Sequence, residues 1–253
     1  ISQRSVYPHI DVEACSRHGV LVSSNMHAGT PSYAAAELTL ALMLASYRQI
    51  PSQVASIRAG TWQMGVGRTL RGRKLGLYGY GRIARAVAEY AEAIGMKVSY
   101  WASEAGRARA QADGAPLADS RHAFFADNDI VSLHVRLKPE TKGVITAEDL
   151  AAMSPRALLV NTSRSGLIAP GVLEAEIARD RIFAAVDVFD TEPLRDTANP
   201  LLTSPNVLAT PHIGYVTEDE FDLQFSDIFE QVNAFADGAP LHMINPEVWA
   251  ASS

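Results

Sequence analysis

Three side chains with complementary chemistry each follow an apolar run. Arg164 comes after Leu158-Leu159-Val160-Asn161, Glu192 after Ala185-Val186-Asp187-Val188-Phe189, and His212 stands within Thr210-Pro211-His212. An imidazole can exchange a proton with a hydroxyl, a carboxylate beside it can hold its tautomer, and a guanidinium can clamp an α-keto acid. Taken singly, each has an ordinary explanation: Arg164 as a surface charge, Glu192 as a loop residue before Pro193, His212 as a hydrogen-bonded structural group. Upstream, Gly79-Tyr80-Gly81-Arg82-Ile83-Ala84 separates the apolar run Leu75–Tyr78 from an alanine-rich stretch. There the first glycine permits a sharp turn and the second lets backbone approach a pyrophosphate, while Ala84 replaces the third glycine where helix packs on strand. The helix start beyond offers unpaired N–H groups and positive partial charge to phosphates. The alternative is a tight strand-to-helix turn with no ligand.

A site selective for NAD places Asp or Glu about 20 residues after such a turn, on the adenine ribose hydroxyls. Here Ala102 takes that place, and Glu104, Arg107 and Arg109 follow. Without the carboxylate, repulsion against a 2′-phosphate disappears, and a guanidinium could pair with one bidentately. NADP is therefore permitted beside NAD, with Arg107 as a candidate contact; the alternative is that Arg107 and Arg109 are solvated loop charges.

The elements that must position these groups alternate in type. Strands are expected at Leu75–Tyr78, Lys97–Trp101, Ile130–His134, Ala157–Asn161 and Ala184–Phe189, with a strand-like piece at Leu208–Ile213. Helices are expected at Arg82–Ile94, Ala147–Met153, Pro170–Arg179 and Glu218–Ala236. Ahead of them lie a helix at Asp11–Arg17, a short buried strand at Val20–Val22, a helix from Pro31 to about Arg48 and another at Ser52–Ala59. Apolar strands alternating with helices make the fold class α/β, a parallel sheet covered on both faces.

Length and composition exclude other classes. A chain of 253 residues, 47% apolar and 20% charged, buries a core without staples. One cysteine, Cys15, leaves neither a disulfide framework nor a multi-cysteine metal site, which suits a reducing, cytoplasmic setting. His9, His18, His27, His122 and His242 show no ligand spacing, so no metal is expected. The longest apolar run, Ala34–Ala45, is broken by Glu37 and Thr39 and is too short to span a bilayer, so no membrane helix is expected. A net charge of −6 without an extended basic face argues against nucleic acid. The cluster Arg68, Arg71, Arg73 and Lys74 reads as a solvated loop.

Five ordered motifs resemble the D-isomer-specific 2-hydroxyacid dehydrogenases: Gly79–Ala84, Ser132-Leu133-His134-Val135, Asn161-Thr162-Ser163-Arg164-Ser165-Gly166, Asp187-Val188-Phe189-Asp190-Thr191-Glu192-Pro193 and Thr210-Pro211-His212-Ile213-Gly214. The resemblance implies that Arg164 binds substrate and polarises its carbonyl, that His212 is the proton donor and acceptor, and that Glu192 is its paired acid. It implies cofactor contacts at Gly79, Gly81, Arg82, Ile83, His134, Thr162 and Asp187, the last with the nicotinamide carboxamide. It also implies a Rossmann-type doubly wound cofactor domain, 28–213, inserted into a discontinuous flavodoxin-like substrate domain, 1–27 and 214–253. Family members begin with further strand and helix units ahead of the position of Ile1, so that domain is expected to be incomplete here. The glycine-rich substrate loop of the family is replaced by Ser2-Gln3-Arg4-Ser5-Val6-Tyr7, where Arg4 or Ser5 could hold a carboxylate; Arg136 stands where proline is common. The helix from Pro31 resembles the family's dimerisation region, and a homodimer is expected. The function implied is hydride transfer between NAD or NADP and C2 of a small 2-hydroxy or 2-keto acid. A non-catalytic, dinucleotide-sensing module of the corepressor type is the alternative.

Overall fold

The computed structural model describes residues 2–3, 10–25 and 33–250. Arg4 and Ser5, Pro31, and His9 and His27 lie outside the described residues. In chain order the elements are β1 (Ser2–Gln3), α1 (Val12–Arg17), β2 (Ser24–Asn25), α2 (Ala34–Tyr47), α3 (Ile50–Arg58), β3 (Lys74–Tyr78), α4 (Arg82–Ala93), β4 (Lys97–Trp101), α5 (Glu104–Ala112), α6 (Arg121–Asp127), β5 (Ile130–Leu133), α7 (Ala147–Ala152), β6 (Leu158–Asn161), α8 (Val172–Ala178), β7 (Phe183–Val186), α9 (Pro200–Thr203), β8 (Val207–Ala209), α10 (Glu218–Ala236) and α11 (Glu247–Ala250). They fall into two compact units, residues 33–215 and residues 1–32 with 216–253.

The larger unit is an all-parallel six-stranded sheet in the order β4-β3-β5-β6-β7-β8. Beyond β4, Leu117 adds a one-residue parallel bridge to Tyr100, framed by Tyr100 N–H to Pro116 O and Ala118 N–H to Tyr100 O. Counting that bridge as the third strand gives the Rossmann order, with the reversal between β3 and β5. Successive strand residues serve opposite faces. Leu75, Leu77, Ile130, Leu158 and Val160 meet α2 and α4 on one face, while Tyr78, Val131, Leu133 and Leu159 meet α6, α7 and α8 on the other. Helix α4 turns Ala84, Ala86, Val87, Ala88 and Ala91 inward, and these small side chains let it lie close on the sheet.

The smaller unit pairs β1 with β2 in parallel. Its long helix α10 is capped by Thr217, whose hydroxyl accepts from Glu220 N–H, and Glu218, Asp219 and Glu220 complement the helix start.

Four expectations need correction. Val20–Val22 is not a strand: Val22 N–H goes to the Asn245 side chain, which also donates to Val20 O, and Val22 O accepts from Ile244 N–H. With those backbone groups taken, the strand forms two residues later. Arg107 and Arg109 do not lie in a loop but on α5, which Ser103 caps by accepting from Gly106 N–H. The basic cluster is not merely solvated, because Arg68 stacks 4.3 Å over Tyr47 and donates to Arg156 O, and Arg73 pairs with Asp129 at 3.1 Å. The strands toward the site stop earlier than expected, at Leu133, Val186 and Ala209, because the chain leaves the ladder to present the residues described next. Among the described residues no helix is long and apolar enough to cross a membrane, and no group of three or more His, Cys, Asp or Glu side chains could hold a metal ion.

Candidate active site

Among the described residues, the site residues expected from the sequence follow the C-terminal ends of strands in the 33–215 unit, Arg82, Ile83 and Arg107 on the helices α4 and α5 that come next; this is the edge at which open α/β sheets bind ligands. Gly79 turns the chain at φ +119°, and a Cβ there would stand 2.5 Å from His134 O, so only glycine fits. A Cβ on Gly81 would meet nothing within 4 Å, and Gly81 caps α4 without any side-chain hydrogen bond. The start of α4 is thus uncapped, faces open space and carries Arg82 rather than an acid in its first turn, an arrangement that fits a diphosphate. Ile83 is half-buried, and Ala84 is fully buried where the helix meets the sheet.

At the end of β4, buried Ala102 packs against Gly106, where a Cβ would come within 2.7 Å of its own. The Arg107 guanidinium lies 4.5 Å over the Trp101 ring and donates to Ala102 O at 2.6 Å. At the end of β5, His134 N–H donates to Tyr78 O and its Nε2 meets Ser132 Oγ at 2.8 Å. Burial lowers its pKa to about 4, so this imidazole is neutral at physiological pH. At the end of β6, Thr162 Oγ1 lies 2.8 Å from Thr39 Oγ1 of α2, and the Thr39 hydroxyl donates to Ala35 O at 2.7 Å.

The opposite half of the edge assembles the titratable groups. His212 Nδ1 lies 2.5 Å from Glu192 Oε2, and Glu192 Oε1 accepts from Phe189 N–H at 2.9 Å. Desolvation raises the Glu192 pKa, but the hydrogen bonds from His212 and Phe189 N–H and the charges of His212 and Arg164 outweigh it and hold the carboxyl below its ordinary value. Arg164 is exposed, at the tip of a turn that Asn161 holds by accepting from Ser163 N–H and donating to Arg164 O. Tyr215 meets the His212 ring edge-on, with centroids 5.7 Å apart.

His212 has a φ of +55°, rare for a side chain with a Cβ. What holds it there is Asp187, which has no exposed surface: Oδ1 accepts from Thr210 Oγ1 at 2.7 Å and Ile213 N–H at 2.9 Å, and Oδ2 from Gly214 N–H at 2.9 Å. The resemblance implied a cofactor contact for Asp187; the structure gives its carboxylate to the histidine loop. Sequence reasoning missed Asn161, Thr39 and Tyr215 as supports; Asn161 stood inside a quoted motif and was the one with a signal to follow.

Residues 40–214 match the family model for the D-isomer specific 2-hydroxyacid dehydrogenase NAD binding domain. The chain belongs to that family. It is 37% identical over 227 residues to D-3-phosphoglycerate dehydrogenase of Methanocaldococcus jannaschii, a match covering 88% of this chain and 43% of that protein. It is 32% identical to glyoxylate reductase of Thermococcus litoralis over all of this chain and 78% of that one. Among solved structures, a phosphoglycerate oxidoreductase from Vibrio cholerae O395 superposes with a TM-score of 0.86 at 42% identity, covering 93% of this chain and 75% of its own. The chain thus spans less than half of the first of these relatives. The cofactor of this dehydrogenase family member is NAD or NADP, held by the matched domain.

Proposed function

We propose that the protein catalyses hydride transfer between a nicotinamide dinucleotide and C2 of a small D-2-hydroxy acid or the corresponding 2-keto acid. The observation that carries this reading is the 2.5 Å contact between His212 Nδ1 and Glu192 Oε2 within electrostatic reach of Arg164. When bound, the dinucleotide supplies the hydride in reduction and takes it up in oxidation. Arg164 pairs with the substrate carboxylate and stabilises negative charge growing on the C2 oxygen. Glu192 accepts a hydrogen bond from Nδ1–H of the His212 imidazolium, which leaves Nε2–H to face that oxygen. In reduction His212 gives the Nε2 proton to the oxygen, so the keto acid gains one hydride and one proton; in oxidation neutral His212 takes the proton back.

Glyoxylate, hydroxypyruvate, pyruvate and phosphohydroxypyruvate, each with NADH and NADPH, test the reading by loss of nicotinamide absorbance. Oxidation with at least one acid is expected, abolished in His212→Gln with dinucleotide binding retained. Dinucleotide binding without oxidation in any pairing would sink the reading and leave a sensing module.

The substrate-domain role of residues 1–27 and 214–253 is part of the same proposal, as is a homodimer. In support of the dimer, Ile50, Val54, Ile57, Trp62, Met64 and Val66 are exposed on and after α3, Trp62 by 76% and Val66 by 84%, an apolar patch of the kind copies of a chain bury. Light scattering on the purified protein distinguishes dimer from monomer. The single Cys15 supports a cytoplasmic setting.

A further inference from the structure

We infer that the adenosine end of the cleft is built for a 2′-phosphate, that Arg107 is the residue that selects it, and that the protein prefers NADPH to NADH. The inference rests on the dinucleotide-binding part of the proposed function and on the juxtaposition at the end of β4. That strand end is where an NAD-selective fold presents a carboxylate to the ribose hydroxyls. Here Ala102 offers only a methyl group, which is turned against Gly106. No carboxylate from this position opposes an anion.

What occupies the place is a cation with its geometry already set. The Arg107 side chain reaches back from the first turns of α5, lays its guanidinium on the Trp101 ring at 4.5 Å and spends one N–H on Ala102 O at 2.6 Å. Stacking and that hydrogen bond fix the plane of the guanidinium, so less rotamer entropy is lost when an anion docks. An arginine carries five N–H donors, and one is used. Among the described residues Arg107 forms no ion pair with any Asp or Glu, so a half-buried guanidinium stands at the strand end without a counterion. Arg109 brings a second guanidinium to the same strand end, with one of its terminal nitrogens 3.9 Å from where a Cβ on Gly106 would stand, but no ring or carbonyl fixes it as Trp101 and Ala102 O fix Arg107. Glu104, exposed at the helix start three residues before Arg107, is the nearest acid in sequence; among the described residues it forms no ion pair within 4.0 Å.

The test is calorimetric titration of the full chain with NADPH, NADH, 2′-AMP and 5′-AMP, with no turnover required. The wild-type protein should bind NADPH more tightly than NADH by about tenfold or more, the scale of a charge-assisted pair, and 2′-AMP more tightly than 5′-AMP by a similar factor. In Arg107→Ala the NADPH preference should shrink to about threefold or less while NADH affinity stays put, and Arg107→Lys should keep part of it. Ala102→Asp should reverse the preference, because its carboxylate repels the phosphate and accepts from the ribose. Should Arg107→Ala fail to fold, the two AMP isomers on the wild type and the Ala102→Asp variant decide the matter. Equal or tighter NADH binding by the wild type, or an Arg107→Ala variant that keeps the full preference, overturns the inference and leaves the hydride-transfer reading intact. Binding of neither dinucleotide overturns both.

Discussion

Along one sheet edge, the ends of β3 and β4 and the ends of β6, β7 and β8 reach a functional geometry by different means. At the first, geometry comes from backbone and from absent side chains: Gly79 at φ +119°, an uncapped α4, and an alanine against a glycine at Ala102 and Gly106. At the second it comes from buried polar side chains, Asn161 under Arg164 and Asp187 under His212. The nucleotide half needs room for a large anion, and any added atom fills it. The proton transfer proposed for the other half needs three side chains held relative to one another, which directional hydrogen bonds do.

Substitutions that affect one half and spare the other test this contrast. The largest effect is expected for His212→Asn, a loss of about a thousandfold in kcat, within the span of general acid–base contributions, with dinucleotide affinity unchanged by titration. Next comes Asp187→Ala, which strands the Thr210 hydroxyl and the Ile213 and Gly214 amides without an acceptor. It should cost about 3 kcal/mol in denaturant unfolding and lower kcat far more than it weakens dinucleotide binding. A fall in affinity as large as the fall in kcat would erase the distinction between the halves. Gly79→Ala should do the reverse: a Cβ at positive φ pressed on His134 O costs about 2 kcal/mol and weakens the dinucleotide more than tenfold. The smallest effect concerns His134. Its folded pKa, about 4, lies below the ordinary 6.5, so the unfolded chain binds the extra proton first as pH falls. Its contribution to stability is fully present above pH 6.5 and lost as the pH drops toward about 4. Between those values the wild-type Tm should fall more steeply than that of His134→Asn, as scanning calorimetry would show.

Legibility in the sequence followed the range of the interactions. The buried strand β6 and the helix α10 were readable because a continuous apolar run and helical periodicity are local signals. The glycine turn was readable for the same reason, since the turn, the close approach and the helix start all lie within six residues. Helices α5 and α6 were not read: Gly106 interrupts the periodicity of one, the other is seven residues long, and their serine caps at Ser103 and Ser120 are single-residue cues. The third strand was invisible because one bridge at Leu117 needs no pattern. The positions of Arg164, Glu192 and His212 at strand ends were legible. The role of Asp187 was not, because its three donors lie 23 to 27 residues further along the chain.

The pair of threonines between α2 and β6 has a polarity of its own. Thr39 has a single hydroxyl proton and delivers it to Ala35 O, so the proton shared with Thr162 must belong to Thr162. The oxygen of Thr162 is left with lone pairs only. Any polar group that meets it has to bring hydrogen, as an amide or an alcohol does and an ionised carboxylate does not, so a helix packed behind the sheet sets the polarity of a side chain at its edge.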